Sequence, residues 1–212
     1  MVQTLAIERN LKTLRQLQNE FALSRTEKDE FFPEWYRDLA KLTTNEINCL
    51  DEIKEQYLYQ LSQGRLGEET IKLIVLSPLL KLAGFYDPPF QFRAEETIQL
   101  TIESQEIIYR GKIDALVLQD RLWIVVIESK ETSFSLELAI PQTLAYMLAN
   151  PQPDRAVFGM ITNEGNFIFL KLEHQPSPQY EISDLYSLLP RQNRLYPVLQ
   201  ILKGFGDRMK TN

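Results

Sequence analysis

Histidine and cysteine are almost missing from this chain: one of each, His174 and Cys49, among 212 residues. A single cysteine excludes an internal disulfide framework. Together the two leave no zinc cluster and argue against nucleophilic catalysis driven by a histidine base. Glycine is scarce too, with eight residues. No Gly-rich loop ends in Gly-Lys-Ser/Thr, so no ATP hydrolysis is expected. No apolar run approaches the ~20 residues of a membrane span, and no basic leader with an apolar stretch opens the chain. The expectation is a cytoplasmic protein without membrane contact. Basic excess is also lacking: 29 acidic against 23 basic side chains give a net charge of −6. That argues against a non-specific nucleic-acid coat, whose signature is a basic face, but leaves room for a small basic groove. Whatever chemistry remains must run on carboxylates, lysine or tyrosine.

The composition, 44% hydrophobic and 25% charged, suits one compact domain with an appended arm. Residues 5–23, 34–42 and 45–61 carry apolar side chains at roughly helical spacing, with Thr43 or Thr44 as a cap for the last. They predict an all-helical N-terminal arm over 1–62, followed by a domain over 63–212. Residues 68–82 predict a helix, interrupted at Pro78 and ended by Gly84. Strands are predicted over 96–102 and 106–109, then at 113–118 and 122–127, whose apolar runs fit strands covered on both faces. A helix over 136–150, capped by Ser135, precedes a hairpin of 155–162 with 166–172. One or two helices, broken at Pro197, close the chain. The order describes an α/β protein: a mixed central β-sheet flanked by helices.

Three charges fall where charge is expensive. Asp114 lies inside the first apolar strand of the central hairpin, and Glu128 and Lys130 end the second. Isolated buried charges cost several kcal/mol, so the three must be paired, metal-bound or at the open end of the sheet. Alternation puts Glu128 and Lys130 on one face. Carboxylate oxygens suit a hard cation such as Mg²⁺ or Mn²⁺, which would polarise a phosphoryl oxygen and help to make hydroxide from water. The lysine would hold the water or offset phosphate charge. A buried salt bridge between Lys130 and the two acids is the alternative reading.

Gly-Lys-Ile-Asp114, followed fourteen residues later by Glu128-Ser-Lys130, resembles the PD-(D/E)XK nuclease signature, with Ile113 where proline is usual. Gln142-Thr-Leu-Ala-Tyr146 resembles the Gln-x-x-x-Tyr element of RecB-type nucleases and of type I restriction R subunits. The stretch from Gly67 to Phe85, with Glu68-Glu69 near its start and Pro78-Leu-Leu before Gly84, resembles the first helix of the R-subunit N-terminal domain. Together, from about residue 66 to about 172, these resemble that domain as a short chain without the helicase motor.

The resemblance implies a restriction-endonuclease-like fold and a Mg²⁺-dependent DNA endonuclease of a restriction or defence system. Asp114 and Glu128 would be metal ligands, with the Ser129 carbonyl as a further one. Glu68, with Glu69 as the fallback, would act directly or through water. Lys130 would position the nucleophile, and Gln142 and Tyr146 would touch DNA or order the site. The implied partner is DNA, with no ATP; a homodimer stays open. The reading from another class is a nucleic-acid- or protein-binding module of such a system, with weak or no cleavage, which the acidic net charge favours.

Register decides whether the site assembles, since directly opposite side chains on an antiparallel pair share a face. A two-residue loop at Asp120-Arg121 would set Asp114 against Ile127. A three-residue loop, 119–121, would set it against Val126, one diagonal step from Glu128. A loop two residues longer, or a bulge, would set it against Glu128 itself.

Overall fold

The structure is a computed structural model that describes residues 3–102, 106–119, 122–130, 136–163 and 165–210; the side chains of residues 102, 122, 124–130, 209 and 210 are outside the description. The chain opens with β1 (Gln3–Ala6), α1 (Ile7–Asn10), α2 (Leu14–Phe21), β2 (Ser24–Arg25) and a 3₁₀ turn at Pro33–Trp35. Next comes α3 (Thr44–Gln63), started by a capping box in which the Thr43 hydroxyl accepts from the Glu46 N–H and the Glu46 carboxylate accepts from the Thr43 N–H. A continuous helical stretch follows: α4 (Glu68–Ile71), a π-helical turn (Lys72–Leu76) and α5 (Ser77–Leu82). Pro78 explains the wide turn, because it has no N–H to give the Ile74 carbonyl, and the ladder re-registers ahead of it.

The long antiparallel pair β3 (Phe90–Ile102) and β4 (Ile107–Gln119) leads into β5 (Leu122–Lys130), α6 (Leu136–Leu148), β6 (Val157–Asn163), β7 (Asn166–Glu173), β8 (Gln179–Ile182), β9 (Tyr186–Ser187) and α7 (Leu195–Lys210). Among the described residues the strands form one mixed nine-stranded sheet, ordered β1-β4-β5-β6-β7-β8-β2, with β3 also on β4 and β9 also on β7. The architecture is therefore mixed α/β, a sheet flanked by helices. No helix among the described residues is long and apolar enough to cross a membrane.

Each face of the sheet has its own core. On β6, Phe158 and Met160 join one cluster with α3, α5 and α7, whereas Val157 and Ile161 join the other with α1, α2 and α6, as strand alternation requires. In the first cluster Phe205 of α7 is fully buried, stacked on Phe158 at a centroid distance of 4.0 Å and edge-on to Phe169 at 5.7 Å.

Several expectations change. The first 62 residues are not an all-helical arm: β1 pairs in parallel with β4, and β2 pairs in parallel with β8. Single-strand alternation is unreadable in pieces of four and two residues. The predicted helix over 34–42 is only the short 3₁₀ turn. Pro197 does not break α7 but lies in its first turn, where a missing N–H costs nothing. The expected cap Ser135 lies outside the described residues.

Phe205→Ala should cost about 3–5 kcal/mol, the usual penalty for emptying a buried aromatic position. Urea unfolding measures it; a loss under about 1 kcal/mol would show that this ring does not anchor α7.

Candidate functional site

Strand β4 has three partners for two edges. β3 pairs along its whole length, from Phe90–Gln119 to Ile102–Ile107. The other edge is shared: β1 takes Ile107–Arg110, and β5 takes Ala115–Gln119. Residues 111–114 fall in the gap between those two partners. Asp114 is the last residue of the gap, next to the point where the β4–β5 ladder ends.

The hairpin turn is shorter than the expected 119–121 loop, because Gln119 pairs with Leu122. On its own that turn would set Asp114 against Ile127. A bulge corrects it: Leu118 pairs with Trp123 but Val117 pairs with Val125, so Ile124 is extra on β5. The ladder then closes on Ala115–Ile127. Asp114 and Glu128 are the next residues on each strand, at the same level of the fork. Beyond it β5 continues along β6 alone, with Glu128 in register with Ile161, Ser129 with Thr162 and Lys130 with Asn163. The side chains of Glu128, Ser129 and Lys130 lie outside the description.

Asp114 also marks a slip in β4. Tyr109 and Ile113 bury on the α6 side, but Ala115 and Val117 bury on the opposite side, although all four positions have the same parity. Opposite the slip, Glu95 of β3 holds a left-handed φ of 56°. It falls between the pairs Ala94–Ala115 and Glu96–Ile113. A side chain in that region is strained, and such strain gathers at functional sites.

The slip lets Asp114 reach the helix that covers the first core. Lys72, at the start of the π turn, lies with its Nζ 2.6 Å from Glu68 Oε1, 3.1 Å from Glu69 Oε1 and 3.9 Å from Asp114 Oδ1. Burial opposes the ammonium's charge, but the hydrogen bonds to Glu68 and Glu69 and the charge of Asp114 outweigh it, so Lys72 is held well above the ordinary lysine range. Glu95 also pairs with Lys112 across the strands at 2.9 Å, and this hydrogen bond draws its carboxyl below the usual range. Among the described residues no group of three His, Cys, Asp or Glu side chains is arranged to hold a metal ion; that of Glu128 is outside them.

Gln142 and Tyr146 do share a face of α6. The Gln142 amide donates to the Tyr146 hydroxyl at 2.6 Å, and that hydroxyl donates to Glu8 Oε1 at 2.8 Å. The same Glu8 oxygen accepts the Lys112 N–H at 3.3 Å, so a side chain from α1 serves a backbone donor in the gap of β4. Tyr146 is fully buried, which suits ordering the strand rather than meeting a ligand. Gly111 makes the approach feasible: a Cβ there would lie 2.6 Å from Tyr146 Cε1.

A cavity of about 580 Å³, lined in part by Leu136, Ile140, Asn163 and Asn166, opens at the end of β6 beside the register level of Lys130. Sequence reasoning missed Glu8, Lys72 and Glu95. The Glu68–Lys72 spacing (i, i+4) was a usable signal; nothing in the sequence pointed to Glu8 or Glu95. Compared with models of known protein families the chain matches none, and no curated protein matches it in sequence.

Tyr146→Phe should lose about 1 kcal/mol, because it removes the buried hydroxyl that links the half-buried Gln142 amide to the Glu8 carboxylate. Gly111→Ala should lose a similar amount by overpacking against the ring. Both are read from urea midpoints; parental stability in both variants would refute a role for the Gln142–Tyr146–Glu8 hydrogen bonds in holding β4.

Proposed function

We propose that the chain is a Mg²⁺-dependent DNA endonuclease of the PD-(D/E)XK kind, serving a restriction or defence system. One observation supports it above the rest: the bulge at Ile124 ends the β4–β5 ladder so that Asp114 and Glu128 stand at the same level of a fork. A regular hairpin with the same two-residue turn would set them out of step. Glu68, joined to Asp114 through Lys72, adds a further carboxylate from the helix.

These donors fit a hard divalent ion, for they are oxygens, and the Glu68 and Asp114 oxygens already surround a cation, the Lys72 ammonium. Asp114 and Glu128 would hold the ion, with the Ser129 carbonyl beside them and Glu68 in contact directly or through water. Mn²⁺ would substitute. When bound, the ion supplies a Lewis acid for the phosphate and a water of lowered pKa. Lys130, two residues after Glu128, orients the attacking water and offsets charge developing on the phosphate. Gln142 and Tyr146 hold β4 in place through Glu8. The competing reading, a module that binds without cutting, draws on the net charge of −6.

Asp114→Asn and Glu128→Gln should each reduce Mg²⁺-dependent nicking of supercoiled plasmid to background while keeping the parental circular dichroism spectrum. Lys130→Arg should fail as well, since a planar guanidinium does not replace a compact ammonium. Parental cutting by either carboxylate variant would refute this site. DNA binding by the parent without any Mg²⁺- or Mn²⁺-dependent cutting would favour the binding module.

A further inference from the structure

Lys72 has three carboxylates around one ammonium, and they come from two parts of the fold. Glu68 and Glu69 precede it on its own helix, whereas Asp114 comes from the slipped point of β4. A surface pair made for helix stability would need one acid at i, i+4 and no reach to the sheet. Lys72, Glu68 and Asp114 are half-buried, with side-chain exposures of 26%, 23% and 29%. Glu69 is 82% exposed, so it is the partner able to move without losing buried contacts.

We infer that Lys72 is the resident counter-cation of the site: its ammonium holds Glu68 and Asp114 together until a divalent ion takes them over, and Glu69 then receives it. This rests on the reading that Asp114 and Glu68 serve a metal. A divalent ion binds carboxylate oxygens at ~2.0–2.6 Å. With Nζ 2.6 Å from Glu68 Oε1, an ion on that same oxygen would lie within about 5 Å of the ammonium. Two cations so close repel strongly in a half-buried site. The lysine must therefore leave as the ion enters. The shortest move keeps its contact with Glu69, already 3.1 Å away, and brings the ammonium to the exposed side, where a substrate phosphate would approach. Two adjacent acids thus divide the work: Glu68 faces the ion, and Glu69 takes the displaced lysine.

The test is Mn²⁺ binding to the full chain, by calorimetry and by thermal unfolding with and without the ion. Lys72→Met keeps the aliphatic stem and removes the charge. It should bind Mn²⁺ about tenfold or more tighter than the parent, because nothing has to be displaced. Lys72→Arg keeps the charge and should stay within about threefold of the parent. Glu69→Gln should weaken Mn²⁺ binding in the parent and leave it unchanged in the Lys72→Met background, a non-additivity that a merely structural ion pair would not produce. If Lys72→Met binds Mn²⁺ no tighter than the parent while Asp114→Asn loses binding, the role of Lys72 fails and the metal site stands. If no variant takes up Mn²⁺, Lys72→Met included, the metal site fails and this role with it. Should Lys72→Met not fold, Glu69→Gln decides alone, and parental affinity there overturns the inference.

Discussion

A strand has two edges, and β4 serves three partners; the site follows from that constraint. Because β3 takes one edge throughout, β1 and β5 must divide the other. Wherever two strands share an edge, a stretch between them loses its ladder, and backbone groups there need other partners. Here the stretch is residues 111–114. One of its donors, the Lys112 N–H, is met by the Glu8 side chain. The stretch also contains the glycine that admits Tyr146 and the aspartate that reaches Lys72. A fork of this kind releases a carboxylate from the flat ladder while the strands on either side keep their other partners, a placement that would preorganise a group for a ligand.

Much of this was legible before the fold was seen. The apolar runs around Asp114 and Glu128 marked a covered hairpin, and charges within such runs are costly enough to be noticed. The dependence on register was legible too, since alternation has a period of two and one residue of slip moves a whole side-chain set to the other face. Which remedy the hairpin uses was not. The shift lies between Val117 and Leu118 of β4, opposite Val125 and Trp123, and every residue there is an ordinary strand former. A bulge without glycine leaves no mark in composition. The N-terminal strands were hidden for another reason: β1 is four residues long and β2 two, too short to display a period, and their pairing partners lie about a hundred residues or more away in sequence.

Gln142 and Tyr146 show how a helical spacing can be read and its contacts still missed. Helical spacing correctly put Gln142 and Tyr146 on one face. The partner completing the chain of hydrogen bonds, Glu8, lies 138 residues before Tyr146, on a helix of four residues. Only the docking of β1 against β4 brings it there. The first residues are thus part of the machinery that shapes β4, although no chemistry is visible in them when read alone.

Electrostatics decides how carboxylates can stand close together in a half-buried place. At an effective dielectric of ~20, two like charges 4 Å apart repel by about 4 kcal/mol, comparable with a large fraction of the stability of a domain this size. Carboxylates brought together from the helix and from β4 would therefore separate or take up protons unless something positive stood between them. Lys72 stands there, and its charge is secured because Glu68, Asp114 and Glu69 together outweigh the cost of its burial. On the proposed metal reading, an ion that meets these carboxylates must contend with this ammonium, so the group that offsets their charge would also bear on how tightly the ion binds. The left-handed φ of Glu95, between the pairs that flank Asp114, is a second local cost at the same point. Both features gather where the β4–β5 ladder ends, which is where a site paying for function would carry them.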